Sequence, residues 1–349
     1  MARIVFADDG IEFDGKTPEK GPLGGVESSV VNLMEELAGR GHEVLVRNMC
    51  AASLVHKGVD WAPIHDHKPY GNMPEYADLY IANRGDKLID LMPAAGRSVF
   101  WIHNPANFLL KFRYLKKLWK VRPAIVFIGD YHATTYPKWA PAGERLVIPY
   151  GIPDQFRNAE PGSGIPGPRA VFTSNPLRSL DWLLQQWRDH IQPNVPGAEL
   201  HVFSGAATYG SVGDAKAQAM EKVLEQARAL EDKGVVLRGP VPKAQLVEEF
   251  RQARVLLYRG DINETFCLAV GEAQAMGVPS VVENLGSMCE RVVDGKTGYV
   301  VDSEIEFSKS ACALLSDDNL WQTQHQAALQ SQRHWGWSEV AREFEKLIP

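Results

Sequence analysis

Two carboxylates eight positions apart, Glu264 and Glu272, frame the stretch of this sequence best equipped for chemistry: NETFCLAVGEAQAMGVPSVVENLGSMCERVVDGKTGYVV, from Asn263 to Val301. In one continuous helix, residues eight apart differ by roughly 80° around the axis, so the two would not share a face. Placing Glu264 in a loop and Glu272 inside a helix over Ala269–Met276 gives each a use. Gly277 and Pro279 stop that helix, and 278–282 reads as a short buried strand. Free N–H groups from Phe266 through Cys267 and Leu268 to Ala269, at the positive end of the helix dipole, suit a phosphate or sugar oxygen. Glu272 could accept hydrogen bonds from a ribose diol, and Glu264 from hydroxyls of a second sugar. The plain alternative, two surface glutamates flanking a helix by chance, is favoured by the spacing alone. On the functional reading Cys267 is a free thiol between the two carboxylates, and a bound donor should slow its alkylation.

The elements that must position these groups follow a strand–helix alternation. Strand Arg3–Ala7, a long loop, helix Ser28–Arg40 and strand His42–Arg47 form the first unit of the pattern. Apolar runs at 78–82, 98–103, 124–129 and 146–149 continue it. NAEPGSGIPGPR, at 158–169, is rich in Pro and Gly without periodicity and reads as a linker. The pattern restarts with strands at 170–173, 199–203, 235–238 and 255–258 and helices at 180–191, 215–233 and 243–252. Such alternation predicts α/β domains with parallel sheets covered by helices on both faces. The expected domains are 1–157 and 169–334, joined by 158–168. The amphipathic tail 335–349 carries Trp337, Val340, Phe344 and Leu347 along one stripe.

In open α/β sheets, ligands sit beyond the carboxyl ends of strands. Three further stretches fall there. Gly24-Gly25-Val26-Glu27 would let backbone approach a ligand at a helix N-terminus; a plain turn explains it equally well. His103, followed by Asn104, ends an apolar strand, where a lone His is more often structural. Thr173 to Asp181 carries Asn175 and Arg178, and a guanidinium can grip a phosphate bidentately.

Composition removes several classes. With 349 residues and 45% hydrophobic content, the chain can bury two cores. A net charge of −6 argues against general nucleic-acid binding. The four cysteines show no C-x-x-C spacing, which fits a reducing, cytoplasmic compartment. Asp8 and Asp9 cut short the apolar run of MARIVFADDG, so no signal peptide is expected. No stretch approaches the about 18 apolar residues of a membrane span. Asp294-Gly-Lys-Thr lacks the P-loop's first glycine, no G-x-G-x-x-G follows the first strand, and no Asp-x-Asp triplet appears.

The segment Glu-x-Phe-x-Leu-x-x-x-Glu-Ala-x-Ala-x-Gly-x-Pro-x-Val from Glu264, with Glu290 and Asp294-Gly-x-x-Gly298, resembles the signature of GT-B glycosyltransferases of the retaining family-4 type. The resemblance implies two doubly wound Rossmann-like domains facing across a cleft. It implies transfer of a sugar from a nucleotide-sugar to a glycan, lipid-linked or small-molecule acceptor, with retention, as in polysaccharide biosynthesis. It implies acceptor binding in the first domain, near Glu27 and Asn104, and return of the terminal helix onto that domain. Carried over position by position, Gly24, Gly25, Asn175, Arg178, Val241, Glu264, Phe266, Cys267, Leu268 and Glu272 bind donor, with His103, Glu264 and Arg178 at the reacting centre. No metal or other cofactor is expected. The chain departs from the pattern at Cys267, where the family has Gly, at Gly271, and at Arg178, which stands alone where the family has an Arg and a Lys. A nucleotide-sugar epimerase of the same fold, or a non-catalytic nucleotide-sugar-binding protein, is the alternative.

One further stretch, FLLKFRYLKKLWKVR from Phe108 to Arg122, holds six basic residues and no acidic one. Phe108, Phe112, Leu115 and Trp119 read as one stripe, and Arg113, Lys116, Lys117 and Lys120 as a second. A surface helix with its apolar stripe on the sheet accounts for this. The basic face could instead meet anionic lipid at the inner membrane face, or an anionic acceptor.

Overall fold

The computed structural model describes residues 1–205 and 210–349, which divide into two compact units. Unit one comprises Met1–Gly151 with Trp337–Pro349, and unit two comprises Ile152–Gly336.

Unit one is built on eight strands: β1 (Arg3–Ala7), β2 (Glu43–Asn48), β3 (Leu54–His56), β4 (Val59–Pro63), β5 (Leu79–Asn83), β6 (Arg97–Trp101), β7 (Ala124–Phe127) and β8 (Arg145–Val147). Their order is β3-β4-β2-β1-β5-β6-β7-β8, parallel except for the edge pair β3–β4. β1 and β5 are buried along almost their whole length, as strands covered on both faces must be, and so read as unbroken apolar runs. The edge hairpin was not foreseen. Its two-residue turn, Lys57-Gly58, has φ 45° and 79°, the left-handed pair such a turn requires. Lys stands where Asn or Asp would have announced it.

The terminal helix, Trp337–Glu345, packs on the Gly25–Gly39 helix, and the stripe Trp337, Val340, Phe344, Leu347 is its buried side. The Phe344 ring lies edge-on to Trp101, 5.4 Å between centroids. Arg40 clamps the Glu345 carboxylate with two hydrogen bonds of 2.8 and 2.7 Å, and the His42 ring lies 3.0 Å from it.

Unit two holds β9 (Arg169–Phe172), β10 (Glu199–Val202), β11 (Val235–Leu237), β12 (Val255–Leu257), β13 (Ser280–Glu283) and β14 (Gly298–Val301). All pairs are parallel, in the order β11-β10-β9-β12-β13-β14. The expected linker 158–168 lies within this unit, whose boundary falls earlier, at Gly151/Ile152. Arginines from unit two hold it by its carbonyls: Arg333 donates to Ala159 O at 2.7 Å and Arg251 to Glu160 O at 2.9 Å. Pro and Gly remove periodicity, but they leave carbonyls free to be anchored.

The Phe112–Val121 helix sits the other way round from the expected orientation. Phe112 and Trp119 are 79% and 62% exposed, while Tyr114 and Leu118 are buried. Tyr114 wins the inward position because its ring meets Phe108 and Phe100, at 5.2 and 6.4 Å, and its hydroxyl donates to Arg84 O at 3.3 Å. The expected basic face is divided as well. Arg113 is 3.4 Å from Asp86 and Lys117 is 2.7 Å from Asp90, leaving Lys116 and Lys120 exposed. Among the described residues no helix is long and apolar enough to cross a membrane.

The Glu345 clamp makes a pH-dependent prediction. Hydrogen bonds from Arg40, and then from His42, bring the carboxyl from its ordinary 4.5 down to about 2. The folded state therefore binds this proton more weakly than the unfolded chain. The stabilisation is complete above the ordinary carboxyl range and lost as pH falls toward about 2. Glu345→Gln should lower Tm at neutral pH. Thermal melts across the acid range should show the gap to wild type closing, and a pH-independent gap would exclude the clamp as its cause.

Candidate functional site

In each unit the strand order reverses direction once, at the point where open α/β sheets gather ligand-binding loops. In unit two that point lies between β9 and β12, and the loops after these strands bring together Arg178, Tyr258, Asp261 and Glu264. Arg178 Nη1 lies 3.5 Å from both Glu264 Oε2 and Asp261 Oδ1. Tyr258 donates its hydroxyl to the same Glu264 oxygen at 2.8 Å. Burial opposes the Arg178 charge, yet Glu264, then Tyr258 and Asp261, hold its pKa above the ordinary value. The Glu264 backbone is pinned by Ser287 N–H to its carbonyl at 3.0 Å. Gly286 makes that approach possible: its φ is +60°, and a Cβ there would meet Asp261 O and Glu264 O at 2.5 and 2.6 Å.

The helix after this loop runs Leu268–Ala275, one residue earlier than expected. Cys267 occupies its N-cap at φ 63°, ψ 79°, in the left-handed region. The family's glycine at this position thus has a conformational reason, and this chain meets the same turn with a cysteine. Phe266 is buried under the Arg291 guanidinium, 4.2 Å from the ring centroid. The amides that open the helix therefore begin at Leu268, not at Phe266. Glu272 is buried and already engaged, since Lys243 Nζ donates to its Oε1. Lys243, which opens the helix Lys243–Arg251, was not singled out from the sequence. Val241 lies two residues before it, half-buried, after Gly239 with φ +70°. The Asn175 side chain is turned onto its own loop, accepting from Leu177 N–H at 2.9 Å. That use competes with the phosphate contact expected of it.

In unit one the reversal lies between β1 and β5. Arg84, at φ +49° just past β5, donates to Asp8 at 3.2 Å and to Glu27 at 2.9 Å. Asp8, just past β1, is fully buried, and burial pushes its carboxyl up against the pull of Arg84. Gly24 is the N-cap of the helix Gly25–Gly39, which starts three residues earlier than expected, so Glu27 stands in its first turn. His103 lies two residues beyond β6 and is 4% exposed. Its Nε2 is 2.5 Å from Asn83 Oδ1, and the Tyr150 hydroxyl is 2.5 Å from its Nδ1. Asn83 Oδ1 can only accept, so Nε2 carries the proton and Nδ1 accepts from Tyr150. Burial, then Arg84 and His132, holds the His103 pKa well below 6.5. The Asn104 side chain is exposed, and its carbonyl lies 2.8 Å from His132 Nε2. Sequence reasoning missed Asp8, Arg84, Asn83, Tyr150, Tyr258 and Asp261. Their common signal is position at strand ends.

The two parallel-sheet units have the fold of GT-B glycosyltransferases. Sucrose-phosphate synthase from Thermosynechococcus elongatus superposes with a TM-score of 0.75 at 16% identity, covering 99% of this chain and 98% of that one. HepE from Anabaena, in complex with UDP-glucose, gives 0.74 at 14% identity, covering 99% of each. Residues 168–317 match the family model described as Glycosyl transferases group 1. The chain is 32% identical over 137 residues to the D-inositol 3-phosphate glycosyltransferase of Corynebacterium diphtheriae, 38% of this chain and 31% of that protein. It is 30% identical over 118 residues to that of Corynebacterium efficiens, 33% and 28% respectively. The matched region thus spans about a third of the length of these curated relatives. The resemblance to a GT-B glycosyltransferase stands on these findings.

Cys267 now carries a different expectation from the one its sequence position suggested. It is buried, and burial, then Glu264, pushes its thiol well above the ordinary value. Only the thiolate reacts. Brief alkylation of the native protein followed by peptide mapping should label the exposed Cys289 and spare Cys267 until unfolding, with or without donor. Ready labelling of Cys267 at neutral pH would refute this burial.

Proposed function

We propose that this protein transfers a sugar from a nucleotide-sugar to a saccharide, lipid-linked or small-molecule acceptor, with retention of configuration. Unit two binds the donor and unit one the acceptor. The observation that carries the reading is the Arg178–Glu264–Asp261 cluster at the strand-order reversal of unit two, inside the segment that matches the family.

Each side chain has a role that follows from its chemistry. Arg178, a fixed cation, stabilises the charge that grows on the departing diphosphate. Glu264, oriented by Tyr258, accepts from hydroxyls of the donor sugar. Glu272 takes the ribose diol while sharing its carboxylate with Lys243, since a carboxylate offers about four lone-pair sites. The amides from Leu268 onward take a phosphate oxygen. His103, neutral and held at both ring nitrogens, positions and shapes rather than exchanging protons. Gly24 and Gly25 bring backbone to the ligand, and Glu27 and Asn104 stand on the acceptor side. Because Arg178 supplies the cation, the reading requires no metal, and activity should survive chelation. HepE's UDP-glucose makes UDP-sugars the first donors to try. The location proposed is the cytoplasm, with peripheral contact at the inner membrane face.

Two measurements test this. A thermal-shift screen of UDP-, GDP-, ADP- and TDP-sugars should find one donor that raises Tm, since ligand at a hundred times its Kd adds about 2.7 kcal/mol. Nucleoside diphosphate should then be released only when acceptor is added; release without acceptor, or none with any, defeats the reading.

Substitution of Arg178 separates chemistry from stability. Arg178→Lys keeps a cation between Asp261 and Glu264, so Tm should hold. Turnover should fall about a hundredfold, the effect of removing one preorganised donor. Arg178→Ala leaves two facing carboxylates and should lower both. If Arg178→Lys retains full kcat, Arg178 is a structural residue.

A further inference from the structure

The Phe112–Val121 helix presents an outer face that the fold does not use. At about 100° per residue, Phe112, Lys116 and Trp119 lie within roughly 60° of one another, with Lys120 beside them, while Tyr114 and Leu118 point the opposite way into the core. A third exposed aromatic, Trp139, 67% exposed, stands with Lys138 on the segment after Tyr136. Trp119, Arg122, Lys138 and Trp139 line one shallow hollow on this surface. Exposed apolar side chains grouped in one patch with polar groups around them mark an interaction surface, where the same residues scattered singly would not.

We propose that this surface docks on an anionic lipid bilayer. The charge pattern selects the partner. Lys116, Lys120 and Lys138 are exposed and form no ion pair among the described residues, whereas Arg113 and Lys117 are neutralised by Asp86 and Asp90. The one carboxylate on the hollow, Glu144, is bonded by Arg97 at 2.7 Å. The patch is thus cationic in a chain whose net charge is −6. Aromatic rings with free lysines around them fit the headgroup layer: the rings enter the acyl boundary and the ammonium groups remain among the phosphates. The surface lies in unit one, outside the groups assigned to sugar transfer, so it stands or falls independently of that assignment.

The experiment is co-sedimentation of the full chain with phosphatidylglycerol-containing and pure phosphatidylcholine vesicles at low and high salt. Binding should require the anionic lipid and weaken with salt. Lys116→Gln/Lys120→Gln/Lys138→Gln should weaken it by about fivefold per cation. Phe112→Ser/Trp119→Ser/Trp139→Ser should abolish it, while Arg113→Gln/Lys117→Gln should leave it close to wild type. All these positions are exposed or half-exposed, so the variants should fold, which an unchanged circular dichroism spectrum and donor thermal shift check. Failure to bind anionic vesicles at low salt, or equal loss in the Arg113/Lys117 variant, overturns the proposal. So does a patch that proves to mediate self-association, with sedimentation showing a dimer that the aromatic variant dissociates and no vesicle binding.

Discussion

A guanidinium drawn partly out of water needs carboxylates beside it, because burying a charge without compensation is unfavourable. Both units obey this at the same topological point. Arg84 is met by Asp8 and Glu27, and Arg178 by Asp261 and Glu264. In each case the arginine and an acidic partner follow neighbouring strands, β5 and β1 in one unit, β9 and β12 in the other. The sheet order decides which loops can meet, and charge compensation then fixes their conformations. Arg84 is held at positive φ, and the chain turns left-handed at Cys267 directly after the Glu264 loop. Left-handed backbone costs a non-glycine residue about 1–2 kcal/mol. Such strain persists only where surrounding contacts over-determine it, and here the Tyr258, Ser287 and Arg178 contacts to Glu264 supply that determination.

How much of this was legible depends on whether the information is local. The strand–helix alternation is local, and the two parallel sheets followed from it. Glu264 and Glu272 were legible because a loop–helix unit holds both. Asp8 was visible, but only as the residue that interrupts an apolar run, since nothing in one strand says which strand will lie beside it. Arg84 sits between Asn83 and Gly85 with no pattern to mark it. The Lys243–Glu272 pair joins the start of one helix to the middle of another, a contact that requires the order of β strands to be known first. Sheet order is a global property, and the residues missed are those that depend on it.

The Phe112–Val121 helix shows a different limit. Its sequence contains two apolar stripes, and periodicity alone does not say which one turns inward. The decision rests on what each ring can reach: Tyr114 finds Phe100, Phe108 and an acceptor for its hydroxyl, whereas Phe112 finds none of these. Polar satisfaction broke a tie that hydrophobicity left open. Once Tyr114 and Leu118 are fixed inward, Phe112 and Trp119 are necessarily outside, and Arg113 and Lys117 fall where Asp86 and Asp90 can reach them.

The two units also divide the electrostatic labour. His103 is held neutral by burial and by Arg84, and both ring nitrogens are committed, to Asn83 and to Tyr150. To take up a proton at Nδ1 it would have to give up the Tyr150 hydrogen bond as an acceptor and carry a charge where solvent cannot reach. Arg178 is the reverse: its charge is reinforced by its neighbours and cannot be lost at any ordinary pH. A reaction whose difficulty is negative charge building on a leaving diphosphate needs a permanent cation more than a titrating base. Unit two, which carries the segment matched by the family model, holds such a cation in Arg178, as unit one does in Arg84, whereas burial keeps His103 neutral.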